Sequence, residues 1–515
     1  LEVSIDPFFE VDNPYDSSQV NIVGIFISPS GRRLELPAFY YQDYKWEGNQ
    51  LVEDGVPNWL IRFTPDEAGS WKVNIKGSYP GGDIESNSRR FIAQASNARG
   101  FLKVSESNPH ALEFKNGEPL FALGINAFVD GYNVTRPLKA DGFKLVNQYL
   151  EKLAAAGGTF ARFRFDSWFI PIESTASEIS GYEGIGTYHP MASWIIDQII
   201  EKAENLNLTV QFNMENGNAT CNPENRPELQ FRLIHNFYLK GNGGPIDDVT
   251  EFWTNKDVKM FFKRKLRYIT SRWGYSPAVG IWEFFNEAKL FYWIDGNKVD
   301  VSEDLVRWHQ EMGIYLKSID PHKRPVSTSL TSGFLVADDF WSLWNTSGLD
   351  IVQYHEWRHE DIAEAFREQN FNVFQKLNKP LIIGEFGTSK FFRKEIMNKE
   401  GISNKEIHEA VDPMGINLHN GLWAGVFSGS IGALPWFIRD YVYKLDLYHV
   451  FTPLSKYIAD WKINLPWIPV NVSTRFNGEE DLTYRILAMN YENETRIWIQ
   501  NKKFNHISHY KGDGA

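Results

Sequence analysis

The chain is long, acidic and rich in aromatic side chains. Its 515 residues exceed one ordinary domain, and a composition of 43% hydrophobic and 23% charged residues is typical of a folded protein. The formal net charge of −12 argues against nucleic acid or an anionic membrane as a partner. The sequence contains no apolar run of about 18 residues that would predict a membrane span.

The first part of the chain, residues 1–95, has the texture of an all-β domain. Apolar and polar residues alternate with the period of two that strands require in segments 20–27, 59–63 and 70–75. Turn-forming residues bound these segments, with Ser28-Pro29-Ser30-Gly31 after the first and Pro80-Gly81-Gly82 after the last. We predict a β-sandwich accessory domain.

The texture changes in residues 96–465, where a short lead-in precedes alternating strand-like and helical segments. The first helix is predicted over 141–156, with Asp141 as its N-cap and Gly157-Gly158 as its stop. Further amphipathic segments are 194–203, 258–268 and 305–316. The strand candidates are 120–125, 159–165, 208–214, 279–285, 325–330, 350–355, 380–385 and 432–438. Eight strands that alternate with helices predict an α/β fold of the (β/α)₈ TIM-barrel type.

Residues 466–515 return to a β texture, with strand-like segments at 484–489 and 496–500. This C-terminal region is short for an independent sandwich. We predict a small β region that is either an incomplete domain or packed against the rest of the chain.

Two strand candidates end in a carboxylate. Glu287 falls just past strand four, and Glu385 ends strand seven. A buried Glu costs several kcal/mol unless it is paired or used in chemistry, so either residue alone is equally well explained as a strand cap or an arginine partner. In a barrel, however, the C-terminal ends of all strands share one mouth. The pair therefore favours a proton donor and a nucleophile in one site.

The two phrases that carry these residues, Trp282-Glu283-x-x-Asn286-Glu287 and Gly384-Glu385-Phe386-Gly387, resemble clan A of the glycoside hydrolases. These are retaining (β/α)₈ enzymes that include the family 5 cellulases and mannanases. The resemblance covers the whole predicted barrel, roughly two thirds of the chain. The segments 36–39 and 62–71 are similar to the β-sandwich that precedes some barrels of this clan.

The resemblance implies roles for matching positions. Glu287 would be the acid/base and Glu385 the nucleophile, while Asn286 would hydrogen-bond the 2-hydroxyl of the sugar. Arg162 falls where the clan carries a strand-two arginine that keeps the nucleophile ionised. Arg164 has the same strand parity and is the alternative, and an arginine here has a structural explanation as the partner that neutralises Glu283.

Trp436 on strand eight matches the aromatic platform under the sugar, with a plain core Trp as the alternative. His355, at the end of strand six, matches a histidine that lines the subsite. Family 5 strands usually end here in His-x-Tyr, with the tyrosine touching the nucleophile, whereas this chain has Trp357 at that position. Either Tyr354 or another tyrosine takes that role, or the contact is absent.

Other polar residues are weaker candidates for the mouth of the barrel. Asn126 and Glu215 follow strands one and three, and His419 and Asn420 precede the last barrel unit. His419 and Asn420 are equally well explained as satisfied loop residues.

A rival motif overlaps strand six. His355-Glu356-x-x-His359 matches the H-E-x-x-H pattern of zinc proteases, which needs both histidines on one helix face. Here the first histidine closes an apolar strand, so we give the protease low weight. A third class is a barrel that binds glycans without catalysis, and the intact Glu pair argues against it.

The compartment is less well defined by the sequence. Cys221 is the single cysteine, which excludes an intrachain disulfide, and it lies in a loop-like segment without metal-ligand spacing. The chain starts at Leu1 and shows no signal-peptide pattern. We expect a secreted or extracellular protein whose signal peptide is absent from this chain, with the cytoplasm as the alternative.

Taken together, these observations predict a retaining β-glycoside hydrolase that cleaves a neutral β-linked polysaccharide or oligosaccharide of the mannan or glucan type. The two carboxyl groups should lie about 5–5.5 Å apart, and Glu287 needs a raised pKa. The chemistry requires no metal or organic cofactor. Sugar configuration, endo or exo action and the oligomeric state do not follow from the sequence.

Overall fold

The computed structural model describes residues 1–5, 11–128, 138–165, 169–175, 182–217, 236–294, 297–331, 338–403, 406–472, 475–476, 479–480 and 483–512. Cys221 lies outside the described residues. Within them, no helix is both long enough and apolar enough to cross a lipid bilayer.

The N-terminal part is a β-sandwich, as predicted. Its strands are β1 Glu2–Ile5, β2 Asn21–Ile27, β3 Arg33–Pro37, β4 Phe39–Tyr41, β5 Tyr44–Glu47, β6 Gln50–Glu53, β7 Asn58–Arg62, β8 Gly69–Tyr79, β9 Gly82–Glu85 and β10 Arg89–Ala93. One sheet has the order β1-β7-β4 and the other the order β10-β8-β2-β3. Phe26, Trp59 and Trp71 are buried between them, where alternate side chains of both sheets meet.

This sandwich is braced against the barrel through a shared carboxylate. Asp197 accepts a hydrogen bond of 2.9 Å from Arg62 of β7 and one of 2.7 Å from Arg272 of a barrel helix. All three side chains are largely buried. Trp194, one helical turn from Asp197, also donates its indole N–H to Asp43 at 2.8 Å.

The lead-in segment forms a small antiparallel sheet of β11 Leu102–Val104, β12 Leu112–Phe114 and β13 Pro119–Leu120. Its side chains pack against residues at the N-terminal ends of the barrel strands. This apolar cluster contains Leu102, Leu112, Phe114, Leu120, Phe160, Ile281, Ile351 and Ile382. The sheet therefore gives the barrel an apolar floor.

The predicted eight-stranded parallel barrel is confirmed. Its strands are β14 Gly124–Asn126, β15 Phe160–Arg164, β16 Thr209–Asn216, β17 Val279–Asn286, β20 Val326–Thr331, β21 Ile351–Glu356, β22 Leu381–Phe386 and β23 Gly432–Pro435, in that spatial order. A hairpin of β18 Phe291–Ile294 and β19 Asn297–Asp300 follows β17. The prediction that the first strand begins at Leu120 is wrong, because Leu120 pairs with Leu112 in the floor sheet.

Helices cover the outside of the barrel. They are α1 Ala140–Ala155, α2 Pro190–Asn205, α3 Lys256–Trp273, α4 Ser302–Ile319, α5 Asp338–Trp344, α6 Ile362–Lys376, α7 Lys390–Glu400, α8 Ile407–Val411, α9 Ile416–Phe427 and α10 Phe451–Ile458. The N-cap of α1 is Lys139, not Asp141. The Asn49 side chain of the sandwich instead accepts the Asp141 N–H at 3.0 Å, so the capping group comes from a distant part of the chain.

The C-terminal region packs against the barrel. β24 Ile468–Val472, β27 Tyr484–Tyr491 and β28 Glu494–Asn501 form one sheet, β25 Arg475–Phe476 and β26 Glu479–Glu480 a hairpin, and α11 His506–Lys511 ends the described chain. Arg485 of β27 binds Asp361 at 2.5 Å and Glu364 at 2.9 Å, both at the start of α6.

Two glycines allow the barrel to close. The seam between the first and last strands includes a bond of 2.7 Å from the Ala122 N–H to the Ile431 carbonyl. A Cβ on Gly432 would lie 2.2 Å from the Ala122 carbonyl oxygen, and one on Gly124 would lie 1.8 Å from that of Phe160. Backbone atoms are the obstacle in both cases, so a side chain forces the strands apart.

We therefore expect Gly432→Ala to destabilise the protein by about 1–3 kcal/mol through overpacking at the seam. Thermal melts and urea denaturation followed by tryptophan fluorescence would measure the loss. Gly241→Ala is the matched control, because a Cβ there meets nothing within 4 Å. Equal melting temperatures for the two variants would contradict the role assigned to Gly432.

Candidate active site

An arginine and a glutamate form a buried ion pair inside the barrel. Arg162 of β15 donates from Nε to Glu283 Oε2 at 2.7 Å and from Nη2 to Glu283 Oε1 at 2.8 Å. Neither side chain has any exposed surface. This two-pronged geometry is the strongest arrangement available to an arginine and a carboxylate.

Amide side chains complete the environment of Glu283. Gln211 Nε2 donates to Glu283 Oε2 at 2.7 Å, and Gln353 Nε2 donates to Oε1 at 3.1 Å. Burial on its own would raise the pKa of Glu283, but the Arg162 charge outweighs it and lowers that pKa below its usual range. Glu283 is therefore a permanent anion that holds Arg162 in one orientation.

The remaining donors of Arg162 are directed to the mouth of the barrel. Nη1 donates to Glu385 Oε1 at 2.9 Å and to Asn126 Oδ1 at 2.8 Å, while Nη2 donates to Asn286 Oδ1 at 2.7 Å. Arg162 thus makes both contacts proposed from the sequence, one with Glu385 and one with Glu283. Arg164 lies farther away, with Nη1 at 3.8 Å from Glu385 Oε1.

Glu287 has an unusual backbone conformation. Its φ is +54°, in the left-handed region that residues with a side chain rarely adopt. Ser329 of β20 fixes this turn, since its hydroxyl accepts the Glu287 N–H at 3.0 Å. Gly217 leaves the space for it, because a Cβ there would lie 1.9 Å from the Glu287 carbonyl oxygen. Strained residues of this kind concentrate at functional sites.

His355 lies between the two carboxylates. Its Nδ1 is 3.1 Å from Glu287 Oε1 and 3.4 Å from Glu385 Oε2. One potential ligand atom from each of the three residues lies within 4.8 Å of the others, and in the described part of the chain this is the one group of histidine and carboxylate side chains close enough to hold a cation.

The two carboxyl groups differ in their affinity for a proton. Burial would raise the pKa of Glu287, but the hydrogen bond and electrostatic attraction of His355 outweigh it and hold that pKa at about 2. Burial raises the pKa of Glu385 above its usual range, although His355 and Arg162 act against it. The expectation of a raised pKa for Glu287 is thus wrong for the substrate-free site, because His355 stabilises its anion.

An aromatic group stands beside these residues. The Arg164 guanidinium lies 5.4 Å from the ring centre of Trp436. Phe128 packs on Trp436 at 4.4 Å, and Trp357 meets it edge-on at 6.5 Å. Trp436 therefore lies at the mouth of the barrel, close to Arg164 and Trp357. Its role as a platform under the sugar stays a prediction.

Two predicted site residues point to the helix layer instead. The Tyr354 hydroxyl donates to Asn370 of α6 at 2.6 Å, so Tyr354 does not contact Glu385. Glu215 accepts a hydrogen bond of 2.7 Å from the Tyr238 hydroxyl and forms an ion pair with Lys265 of α3. Tyr354 is on the outer side of its strand, where alternation places every second residue. Glu215 instead shares the parity of the inward-facing Gln211 and reaches Lys265 from near the end of β16.

His419 is also outside the mouth. It lies on α9, with its ring 5.7 Å from Trp423 and 6.3 Å from Trp498 of the C-terminal sheet. Asn126 has the predicted position, because its amide donates to the Gly384 carbonyl at 2.9 Å.

The H-E-x-x-H segment does not form the helix that a zinc protease needs. His355 and Glu356 end β21, and His359 follows in a loop. Glu356 accepts the backbone N–H groups of Arg358 and His359 at 2.6 and 3.1 Å, so it caps this loop. His355 faces the two carboxylates, whereas His359 is half exposed.

The sequence did not reveal the roles of five residues that shape the site: Gln211, Gly217, Ser329, Gln353 and Gly384. Gln353 is a polar residue that follows two apolar residues in its strand, and that pattern was a usable signal. Ser329 lies in the polar run Ser327-Thr328-Ser329 and does not stand out in the same way. A Cβ on Gly384 would lie 2.4 Å from Gln353 Nε2 and 2.8 Å from His355 Nε2. That glycine gave no comparable signal, because its role depends on side chains of the neighbouring strand.

Comparison with known proteins gives partial matches along the chain. Residues 1–78 match a family model described as "Domain of unknown function (DUF5060)". Mannan endo-1,4-beta-mannosidase 7 of Arabidopsis thaliana is 21% identical over 311 residues, which cover 53% of this chain and 66% of that protein. Mannan endo-1,4-beta-mannosidase F of Aspergillus fumigatus is 30% identical over 104 residues, 20% of this chain and 22% of that one.

The fold is also found in a crystal structure from Bacteroides vulgatus. It superposes with a TM-score of 0.54 at 15% identity and covers 85% of this chain and 70% of that chain. The predicted resemblance to the family 5 type of glycoside hydrolase is confirmed, and with it the prediction of an enzyme of that class.

The buried ion pair gives a test of stability. We expect Arg162→Met to lower the free energy of unfolding by about 3–5 kcal/mol, because Glu283 is left charged and unpaired. The double variant Arg162→Met with Glu283→Leu should recover part of that loss, since Glu283 is then no longer an unpaired charge, while Glu385 still lacks its Arg162 partner. Urea denaturation would measure both, and a double variant less stable than the single one would contradict the pairing.

Proposed function

We propose that this chain is a retaining β-glycoside hydrolase that cleaves β-mannan by double displacement. The observation that carries the proposal is the facing pair of Glu287 and Glu385, with oxygens within 4.8 Å of each other and of His355 Nδ1. Such closeness favours the retaining geometry, in which no water fits between the carboxylates before attack.

In the first step Glu385 attacks the anomeric carbon. Its Oε1 is held by Arg162, which leaves Oε2 to form the bond to carbon. The bond between the anomeric carbon and the glycosidic oxygen breaks, and the oxygen receives a proton from Glu287. Asn286, fixed by Arg162 at 2.7 Å, offers its amide N–H to the 2-hydroxyl as the positive charge develops on the sugar.

In the second step Glu287 acts as a base. It removes a proton from a water molecule, whose oxygen attacks the anomeric carbon and releases Glu385 as a carboxylate. Arg162 again stabilises the charge that returns to Glu385. The starting configuration at the anomeric carbon is restored, and both side chains return to their initial states.

Before the first step, substrate binding must leave Glu287 protonated and Glu385 ionised. In the free site Glu385 has the higher pKa and Glu287 is the stronger acid. A sugar bound above Trp436 would exclude water from Glu287 and compete with its hydrogen bond to His355. Both effects raise the pKa of Glu287, so the bound state has the order that catalysis needs.

The relatives support β-1,4-linked mannan as the substrate, since both are named as enzymes that act on this polymer. The formal charge of −12 and the aromatic side chains at the mouth also favour a neutral polysaccharide in the catalytic site. We further propose that the protein acts outside the cell, because a polysaccharide does not cross a membrane.

The test is an assay on mannan, glucomannan, cellulose derivative, xylan and galactan, with proton NMR of the anomer released first. We expect mannan cleavage with retention and no loss in EDTA. Glu287→Ala and Glu385→Ala should each lower kcat by at least about 10²–10⁴-fold. Glu303→Ala is the matched control, because that side chain is 87% exposed on α4.

Release of the inverted anomer would refute the double displacement. Activity that disappears in EDTA would assign the cluster of Glu287, His355 and Glu385 to a metal instead. A silent panel accompanied by EDTA-sensitive casein digestion would support the protease alternative.

The role of His355 predicts a change in pH dependence. Removal of its ring raises the pKa of both carboxyl groups, because its attraction lowers both in the wild type. The pair then keeps its catalytic proton to higher pH, so the falling limb of kcat/KM in His355→Ala should move upward by on the order of one pH unit. His359→Ala is the control, and a limb that moves downward would contradict the assignment.

A further inference from the structure

A second cavity lies on the outer wall of the barrel, away from the mouth. It has a volume of about 740 Å³ and is bounded by residues 16–18 of the sandwich, by α3 and by α4. This is the size range of pockets that hold small ligands, and it would take a few sugar rings.

The cavity is positively charged although the chain as a whole is acidic. Its cations all come from α3 and are Lys256, Lys259, Lys263, Arg264 and Arg267. The acidic side chains at its wall are Asp16 and Glu311. Five cations against two carboxylates leave a surplus of positive charge, in a chain whose formal net charge is −12.

The ion pairs within the cavity do not remove this surplus. Glu311 is shared by Lys259 at 3.0 Å and Lys263 at 2.6 Å, so one carboxylate serves two ammonium groups. Asp16 pairs with Arg264 at 2.8 Å. Both acids are thereby already engaged.

Arg267 is the most informative member of the group. Its side chain is partly buried, and this burial lowers its pKa. Its Nη2 donates to the neutral Asn21 side chain at 2.8 Å, and within the described ranges neither Arg267 nor Lys256 has an acidic partner. A partly buried guanidinium without an acidic partner attracts anions, and a bound anion would supply the missing counter-charge.

Apolar surface adjoins the cations. Met260 is 47% exposed, and Phe261 and Tyr315 also line the cavity. Arg264 lies 5.3 Å from the ring centre of Phe261, and Lys263 lies 5.6 Å from that of Tyr315. Cations combined with aromatic rings suit a ligand that has both an anionic group and an apolar face.

We propose that this cavity is a secondary binding site for an acidic oligosaccharide, a sugar segment that carries a carboxylate or a sulfate. The choice of a carbohydrate rests on the proposed function. One acid group would pair with Arg267 and a second, on another residue of the oligosaccharide, with Lys256, which lies eleven residues earlier on α3. The C–H face of a ring would contact Phe261 or Tyr315. Acidic branches of a polysaccharide would then bind here while its neutral backbone occupies the mouth.

The experiment measures binding in the Glu385→Ala background, so that it does not depend on hydrolysis. Isothermal titration calorimetry would use three probes: a tetragalacturonate for the carboxylate, a sulfated tetrasaccharide for the sulfate, and mannotetraose as the neutral control. We expect at least one acidic probe to bind, with an affinity that falls as salt rises. Lys263→Glu and Arg267→Gln should each weaken it at least tenfold.

Lys144→Glu is the matched control, because it makes the same charge change at an exposed position on α1 and should leave binding unchanged. Lys256→Glu serves as a second exposed variant should Arg267→Gln fail to fold. Failure of both acidic probes, or binding that the cavity variants do not alter, overturns the site. Equal binding of an acidic peptide or of inorganic phosphate overturns the assignment to a sugar. None of these results bears on mannan cleavage, which is measured separately in the wild type.

Discussion

The ion pair between Arg162 and Glu283 is the constraint on which the catalytic mouth depends. Glu283 uses both oxygens to hold the guanidinium, and the guanidinium then presents fixed donors to Glu385, Asn286 and Asn126. None of these contacts would survive a rotation of the arginine. The pair has no exposed surface, so water does not compete for its hydrogen bonds. The apolar floor below the pair and the amide side chains around it keep water away.

The opposite side of the mouth is organised by the backbone instead of by charge. Glu287 sits in a left-handed turn held by Ser329, and Gly217 makes room for its carbonyl. This conformation aims the Glu287 side chain at His355 rather than along the strand. One carboxylate is therefore placed by a side-chain network and the other by a strained peptide. His355 lies close to both and lowers the pKa of each, and the difference between them comes from its hydrogen bond to Glu287 and from the burial of Glu385.

The order of the strands and the positions of their ends could be predicted from the sequence, because alternating patterns and apolar runs indicate which segments are buried. That was enough to bring Glu287 and Glu385 into one mouth. The orientation of residues near strand ends was not accessible: Glu215 and Tyr354 read as mouth residues but face the helices. Leu120 was predicted to lie in the first barrel strand but belongs to the small sheet that forms the floor. Which of Glu287 and Glu385 has the lower pKa was not predictable either, since the pKa of Glu287 depends on its hydrogen bond with His355.

Asp197 has a consequence for how the molecule unfolds. Its carboxylate balances one guanidinium from the sandwich and one from the barrel wall, in a position that water hardly reaches. If the sandwich and the barrel separated, Arg62 would lose its partner Asp197, and Asp197 would keep only Arg272. Asn49, which caps a barrel helix from the sandwich, adds a second dependence of the same kind. We therefore expect the sandwich and the barrel to unfold together, although the sequence pattern changes between them.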